Sequence, residues 1–378
     1  MTRSLRLCVL VAVVGCEGAK APATGDHALT VTAGFGGGQY AAGDVVRVWS
    51  GLNPQTSYLA DWHATLADPG EWNSTFTMPD ADTTLTATVS GPGSELYNQT
   101  IVGFDRPVLG WRPTTPRGIV LFFHGASYNR TEIQSNAGAY LSNRLMADGY
   151  AVVAIDSTDA STAGIGGWND DPTDPNNADL VAVSQLVAAV RTDWSIPATT
   201  PVIAMGMSSG GQFAHAVGLA LPAQAVVAFC APGRSTTLAA TTAPTAWFLA
   251  DKDSVWPTGA ADTTTSSAAM TARGVATSVN VHPATPLYDQ RFERVTGVSA
   301  TQSKAIADEL RADGFVDADD NWLVSGMTVT AAFPLASLSG LSADQQTAVD
   351  AEVEIMAAEH ELYDDYANRM LTFLDSRF

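Results

Sequence analysis

Residues 202–215, VIAMGMSSGGQFAH, constrain this chain more than any other stretch: an apolar run, a serine between glycines, then small residues that suit a helix. Gly206-Met207-Ser208-Ser209-Gly210 fits the spacing Gly-x-Ser-x-Gly, the pattern of a strained strand-to-helix turn that lifts a hydroxyl clear of a sheet edge. The physical reason is crowding. A side chain held in so tight a turn sits at an unfavourable φ, and the residues two before and two after it must be nearly free of side chain. Gly211 adds a third small neighbour where helix and strand pack. The turn also presents the Ser209 N–H and the positive end of the following helix to negative charge formed beside Ser208. In a chain with 32 glycines the motif also arises as an ordinary turn. Two things decide the matter: the flank at 201–205, which reads as a parallel strand covered on both faces, and whether partners for a nucleophile follow downstream.

With 378 residues, 46% hydrophobic and 15% charged, the chain can bury a sizeable core and divides into more than one domain. A formal net charge of -20 argues against nucleic acid or anionic lipid as a partner, since both would repel it. Residues 1–16 read as an export signal. Arg3 and Arg6 give a basic start, 7–14 are apolar, and Val13-Val14-Gly15-Cys16 resembles a bacterial lipobox that would lipidate Cys16; plain cleavage near Ala19-Lys20-Ala21 is the alternative. The apolar run is too short to span a bilayer, so the membrane would be reached through the lipid anchor only, with 17–26 as a tether. Cys8 leaves with the signal, and Cys230, ending an apolar run, reads as a buried inert thiol with no disulfide partner.

Residues 27–90 alternate apolar and polar positions over short runs separated by Gly- and Asp-rich turns, which predicts a small all-β module. The residues Gly38-Gln39-Tyr40, Gly43-Asp44, Trp62 and Thr75-Phe76-Thr77-Met78-Pro79 resemble the divergent internalin B-repeat of bacterial surface proteins. That resemblance implies a compact spacer or weak binding unit. Trp49, Trp62 and Trp72 are read as its core, with an aromatic binding face as the alternative.

After a linker at 91–95, strands alternate with helical patterns from residue 96 to the end, the signature of a mainly parallel sheet with helices on both faces. Apolar strands are expected at 118–123, 150–155, 202–207, 225–229, 246–250 and 276–281, with helices at 132–148, 178–192 and 259–273. The His124-Gly125 turn, the elbow at Ser208 and this alternation together resemble an α/β-hydrolase over 96–378. The resemblance implies two backbone donors for an oxyanion, the N–H of Ala126 (or Ser127) and of Ser209. It also implies that the insertion at about 286–354, with helical patterns at 303–312 and 343–358, is a cap over the site mouth.

A serine hydroxyl needs a base, and histidine has the matching pKa. Of 6 histidines, His27 and His63 lie in the module and His124 and His215 on the turn and elbow helix, which leaves His282 and His360. The resemblance keeps the base in the loop before the last helix, which points to His360; His282, ending the last strand, is the rival. Ala250-Asp251-Lys252-Asp253 resembles the turn that carries the family's acid, with Asp253 as the candidate and Asp251 as the alternative. Ser209 is a poor nucleophile candidate because it is off the glycine-flanked centre. Asp317-Ala318-Asp319-Asp320-Asn321 hints at a calcium loop, but Trp322 and Thr328 stand where a glycine and a bidentate glutamate belong. The acidic loop at 169–179 reads as a helix cap, and no metal or organic cofactor is called for.

The expectation is an exported, lipid-anchored serine hydrolase acting on carboxylic esters through Ser208, His360 and Asp253. The substrate would be a small-molecule, lipid or polymer ester, and no oligomeric state is legible. A peptidase or acyltransferase would use the same residues; a surface-binding lipoprotein with a silent hydrolase scaffold is the reading from a different class. Leu287, Phe292, Trp322, Phe333, Trp168 and Trp256 would give an apolar entrance or, equally, a packed cap core.

Overall fold

The period-two alternation of the first part of the chain folds as the short strands β1 (His27–Thr32), β2 (Gly34–Phe35), β3 (Gly38–Tyr40), β4 (Val45–Ser50), β5 (Tyr58–Trp62), β6 (Asn73–Thr77) and β7 (Thr83–Ser90). This is a computed structural model, and it describes residues 25–91, 96–158, 166–221, 223–333 and 335–378. The export signal, the lipobox and Cys16 fall outside them. The strands pair as β3-β1-β7-β5 and β2-β4-β6. Leu29, Val48, Leu59 and Leu85 point inward between them. Trp62 and Trp72 are 2% and 0% exposed, so they are core, while the half-buried Trp49 stacks on Tyr288 of the insertion at 3.9 Å between ring centroids.

The module does not own a separate core. Leu59, Trp72, Phe76 and Leu85 belong to one apolar cluster with Tyr140, Leu141, Met205, Tyr363 and Met370 from the rest of the chain. A spacer hung on a linker would bury its apolar face against itself; this one buries it against its neighbour.

The second part builds one sheet from β8 (Tyr97–Thr100), β9 (Pro107–Trp111), β10 (Gly118–Phe123), β11 (Tyr150–Ile155), β12 (Val202–Met207), β13 (Ala225–Phe229), β14 (Thr245–Ala250) and β15 (Thr277–His282). Their order is β15-β14-β13-β12-β10-β11-β9-β8, parallel from β10 to β15 with an antiparallel edge of β8 and β9. Strands β10 to β14 are buried along their whole length, which explains why they read as unbroken apolar runs. Alternate residues serve opposite faces. Val120, Phe122 and Met205 pack with the helices Asn136–Ala147 and Ala367–Asp375, whereas Ile119, Leu121, Phe123 and Ala204 pack with Ala178–Asp193 and Ser209–Ala220. This is the α/β-hydrolase fold. Because β11 and β12 flank β10 on opposite sides, the crevice at the carboxyl ends of β10 and β12 is the topological switch point, where such sheets bind ligands.

Between β15 and the last helix, the insertion carries the helices Ala300–Ala312, Gly326–Thr330 and Ala343–Met356 around its own core of Leu287, Phe292, Ile306, Leu310, Val349 and Val353. Trp322 and Phe333 pack half-buried on that core, and Trp168 stacks on Phe213 at 4.6 Å in a separate cluster with the helices Ala178–Asp193 and Ser209–Ala220. Packing, rather than an entrance, accounts for most of these side chains; Trp256 lies against His360, ring centroids 5.3 Å apart, and the Trp168 backbone N–H donates to Ser209 Oγ at 3.2 Å. Buried Arg291 and Arg294 both pair with Glu352, Arg294 also with Asp364, and the Arg294 guanidinium lies 3.9 Å over Trp72 of the module. Removing one partner of such a group typically costs about 3–5 kcal/mol, because a buried charge is left uncompensated. Cap, module and the loop beyond His360 are thus tied together.

The two acidic loops close on themselves. Asp317 Oδ1 accepts the backbone N–H groups of Asp319 and Asn321 at 2.9 Å each, and Asp320 accepts from Arg311 Nε at 2.7 Å. In the loop before Ala178–Asp193, Asn177 caps the helix by accepting Leu180 N–H, while buried Asp179 accepts from Thr158 and Asn169.

Candidate active site

Ser208 sits between β12 and the helix Ser209–Ala220 with φ 53 and ψ -119, a conformation that a residue with a side chain rarely adopts. Its N–H donates to Phe229 O at 2.9 Å, which anchors the turn to the neighbouring strand. The glycines are demanded by close approach. A Cβ on Gly206 would lie 2.4 Å from the Gly210 backbone, and one on Gly210 would lie 2.1 Å from Phe123 O. Gly211 has the same reason, with Ala231 Cβ 2.5 Å away.

His360 lies in the loop between the helices Ala343–Met356 and Ala367–Asp375, and its Nε2 is 2.8 Å from Ser208 Oγ. Its Nδ1 is 2.8 Å from Asp253 Oδ2. A proton on Nδ1, donated to Asp253, leaves Nε2 to accept from the serine hydroxyl. Asp253 is itself fixed, since Oδ1 accepts the N–H groups of Val255 and Trp256 at 2.9 and 2.7 Å. Two backbone bonds pin the surrounding loops: Lys252 N–H donates to Ala358 O, and Asp251 N–H to His282 O, both at 2.9 Å.

The alternates lie elsewhere. The Asp251 side chain is half exposed and pairs with Lys252 at 3.3 Å. His282 is 2% exposed, its Nε2 lies 2.9 Å from Ile355 O, and its ring stacks on Tyr363, so it is committed to the core and makes no bond to Ser208. Burial pushes its pKa down, and does the same for His124 and for His215, which falls to about 4. His124 accepts Ser157 N–H at Nε2 and holds Gly125 O at Nδ1, a structural role under the turn.

Three consecutive amides of that turn have different fates. Gly125 N–H donates to Glu132 Oε2 at 2.6 Å, and Ser127 N–H donates to Gly166 O at 3.1 Å. Ala126 N–H has no partner among the described residues. Ser127, at φ 67, has its amide engaged, whereas the Ala126 N–H and that of Ser209, which opens the elbow helix, are not paired in the same way. The turn lies against the serine: a Cβ placed on Gly125 would be 3.7 Å from Ser208 Cβ, 3.3 Å from Glu132 Oε1 and 3.5 Å from Tyr128. Glu132 had no motif to mark it in the sequence, where it reads only as the start of a helical run.

Beyond Gly125 opens a cavity of about 910 Å³ walled by the module (Gln55), the helix Asn136–Ala147 (Asn136), the cap (Glu352) and the residues Tyr128, Glu132 and Glu361. Burial pushes the Glu132 and Glu361 carboxyls up to about 8. The Tyr128 hydroxyl is raised too, chiefly by the charge of Glu361.

One set of ligand-type atoms converges here: Cys230 Sγ, an Asp253 oxygen and a His360 nitrogen lie within 4.8 Å of one another. Burial drives the Cys230 thiol well above its usual pKa, and both imidazole nitrogens are already bonded to Ser208 and Asp253. These atoms fit a hydrogen-bonded group better than a cation site, which would need a thiolate and a free imidazole nitrogen.

The chain has α/β-hydrolase architecture, with Ser208 in the tight turn between β12 and the helix Ser209–Ala220 and bonded to His360. No protein-family model matches the sequence, and no curated protein matches it. Among solved structures the chain is similar to TT1662 from Thermus thermophilus, at 15% identity and a TM-score of 0.38 over 50% of this chain and 90% of that one. It is similar to esterase PE8 at 15% identity and a TM-score of 0.37, covering 55% and 98%. A thermophilic esterase of the planctomycete Thermogutta terrifontis follows at 16% identity and 0.36, covering 60% and 95%. Likeness of this degree has no bearing on what the present chain acts on.

Proposed function

We propose that this protein is a serine hydrolase that cleaves carboxylic esters, with Ser208 as nucleophile, His360 as base and then acid, and Asp253 as the group that orients and stabilises the imidazolium. The observation that carries this reading is the unbroken relay from Ser208 Oγ to His360 Nε2 and from Nδ1 to Asp253 Oδ2, 2.8 Å at each step. Ser208 Oγ attacks the ester carbonyl while His360 takes its proton. The Ala126 and Ser209 N–H groups hold the oxyanion, His360 then protonates the departing alcohol, and a water activated by the same imidazole clears the acyl-enzyme. Losing one such backbone donor typically raises the barrier by about 2.7–4 kcal/mol, so the amides contribute alongside the side chains.

Export and lipid anchoring at Cys16 form part of the same reading and rest on residues 1–16 alone; palmitate labelling in a bacterial host should be lost in Cys16→Ala. For the chemistry, Ser208→Ala is expected to abolish both nitrophenyl-ester hydrolysis and labelling by a fluorophosphonate while leaving the circular dichroism spectrum unchanged. Retained turnover in that variant would remove Ser208 from the mechanism, and a wild-type chain inert to both reagents would favour a silent scaffold.

A further inference from the structure

The turn that carries Ala126 is tied down at several points by backbone or ring contacts. Trp168 Nε1 donates to His124 O at 2.8 Å, Ser157 N–H donates to the His124 ring at 3.0 Å, and Ser127 N–H donates to Gly166 O. Glu132 differs from these. Among the described residues it is the one side chain that accepts a backbone N–H of the turn, and it does so at 2.6 Å on the residue immediately before Ala126.

We propose that Glu132 is a positioning residue for the oxyanion-binding turn: its carboxyl holds the Gly125 N–H and so fixes the adjoining Ala126 N–H beside Ser208.

A buried carboxyl without a cation is unfavourable, so its place here needs a reason. Glu132 is 7% exposed, and the charge that bears on it most is another carboxyl, Glu361. Its own backbone is anchored at the start of its stretch. It lies in the short 3-10 stretch Arg130–Gln134, which Asn129 caps by accepting Thr131 N–H at 2.9 Å and which Arg130 ties to Asp156 at 2.5 Å. Residue 125 is glycine, whose φ and ψ are less restricted than those of other residues, and it is buried where an unpaired N–H is costly. The Ala126 N–H shares its peptide with Gly125 O, which lies 2.7 Å from His124 Nδ1 and accepts Tyr128 N–H at 3.3 Å; Glu132 holds the peptide immediately before it, so the two units hinge on the Gly125 Cα and a shift of the first is passed to the second. Since removing one oxyanion donor outright typically lowers kcat about 10²–10³-fold, a loosened donor should lose a large part of that factor.

The proposal rests on the esterase reading, and the test separates the two. Wild type, Ser208→Ala, Glu132→Gln, Glu132→Met and Glu132→Asp are assayed as full chains on nitrophenyl acetate, with active sites counted by fluorophosphonate. Glu132→Met keeps the bulk without an acceptor and is expected to lose about 10–100-fold in kcat with KM within about threefold of wild type. Glu132→Gln keeps an acceptor oxygen and should stay within about fivefold. A merely structural glutamate would change the melting temperature and the fraction of active sites but not kcat per active site. The idea fails if Glu132→Met turns over within twofold of wild type, or if Glu132→Gln falls as far as Glu132→Met. Should the methionine variant not fold, Glu132→Asp decides: it retains the carboxyl with the acceptor drawn back by one methylene, and wild-type kcat there overturns the proposal. If wild type is as inert as Ser208→Ala, the esterase reading itself has failed.

Discussion

The buried Glu71 carboxyl of the β module accepts the backbone N–H of Arg369 at 2.9 Å and that of Asn368 at 3.0 Å. It therefore caps the first turn of the closing helix, across the boundary between the module and the hydrolase sheet. That helix follows the loop holding His360, so the module steadies the segment that carries the candidate base. Glu71→Ala leaves two buried amide donors unpaired. A loss of about 1–3 kcal/mol in unfolding free energy is expected by urea titration, together with a lower kcat. An unchanged unfolding midpoint would mean that the module contributes nothing to the helix.

Asp253 and Asp251 are two residues apart and of one type, yet their surroundings separate them. The first is nine-tenths buried on His360; the second is half exposed on Lys252. Asp253→Ala should reduce kcat by roughly 10⁴, the size of effect found when the orienting acid of such a relay is lost. Asp251→Ala should stay within about twofold. Nitrophenyl-ester kinetics on both variants checks the pair, and equal effects would contradict the assignment.

The elbow glycines should not tolerate even one methyl group. Gly210→Ala forces a carbon to within 2.1 Å of Phe123 O, a backbone atom of β10 that cannot swing aside. Either the elbow helix withdraws from the sheet or the strand shifts, and overpacking of this kind costs about 1–3 kcal/mol or more. A drop of several degrees in melting temperature, with kcat reduced, is the expected result.

How much of this was legible in the sequence depends on the range over which each signal acts. The elbow could be read because its steric demand falls within five consecutive residues. Strands β10 to β14 could be read because burial on both faces leaves an unbroken apolar run, and the module because alternation marks a strand whichever sheet it joins. Ser127 against Ala126 could not be decided, since the difference is a hydrogen bond to Gly166, some forty residues away in the chain. Nor could the embedding of the module, because Trp72 looks equally apolar whether it faces its own strands or Arg294 of the cap. Glu132 was silent for the same reason: a lone glutamate in a helical run is ordinarily solvated, and only the tertiary fold buries it against Gly125.

That burial also makes Glu132 a reporter of pH. Its carboxyl titrates at about 8 in the folded chain against an ordinary value of 4.5, because burial opposes ionisation and the Glu361 charge adds to the effect, while the Gly125 N–H works the other way. Between those two values the folded state holds a proton that the unfolded chain releases, so stability is fully present below about pH 4.5 and falls as pH rises through 8. Glu361, also pushed up to about 8 by burial, gives a slope of the same sign. Glutamine resembles the protonated acid and has no charge to desolvate. Glu132→Gln should therefore unfold within about 1 kcal/mol of wild type at pH 5 and become the more stable protein at pH 8, by on the order of 2 kcal/mol. Denaturant midpoints for both proteins across pH 5 to 8 measure the difference directly. Parallel curves would show that the carboxyl is already ionised at neutral pH and that its bond to Gly125 is charge-assisted throughout.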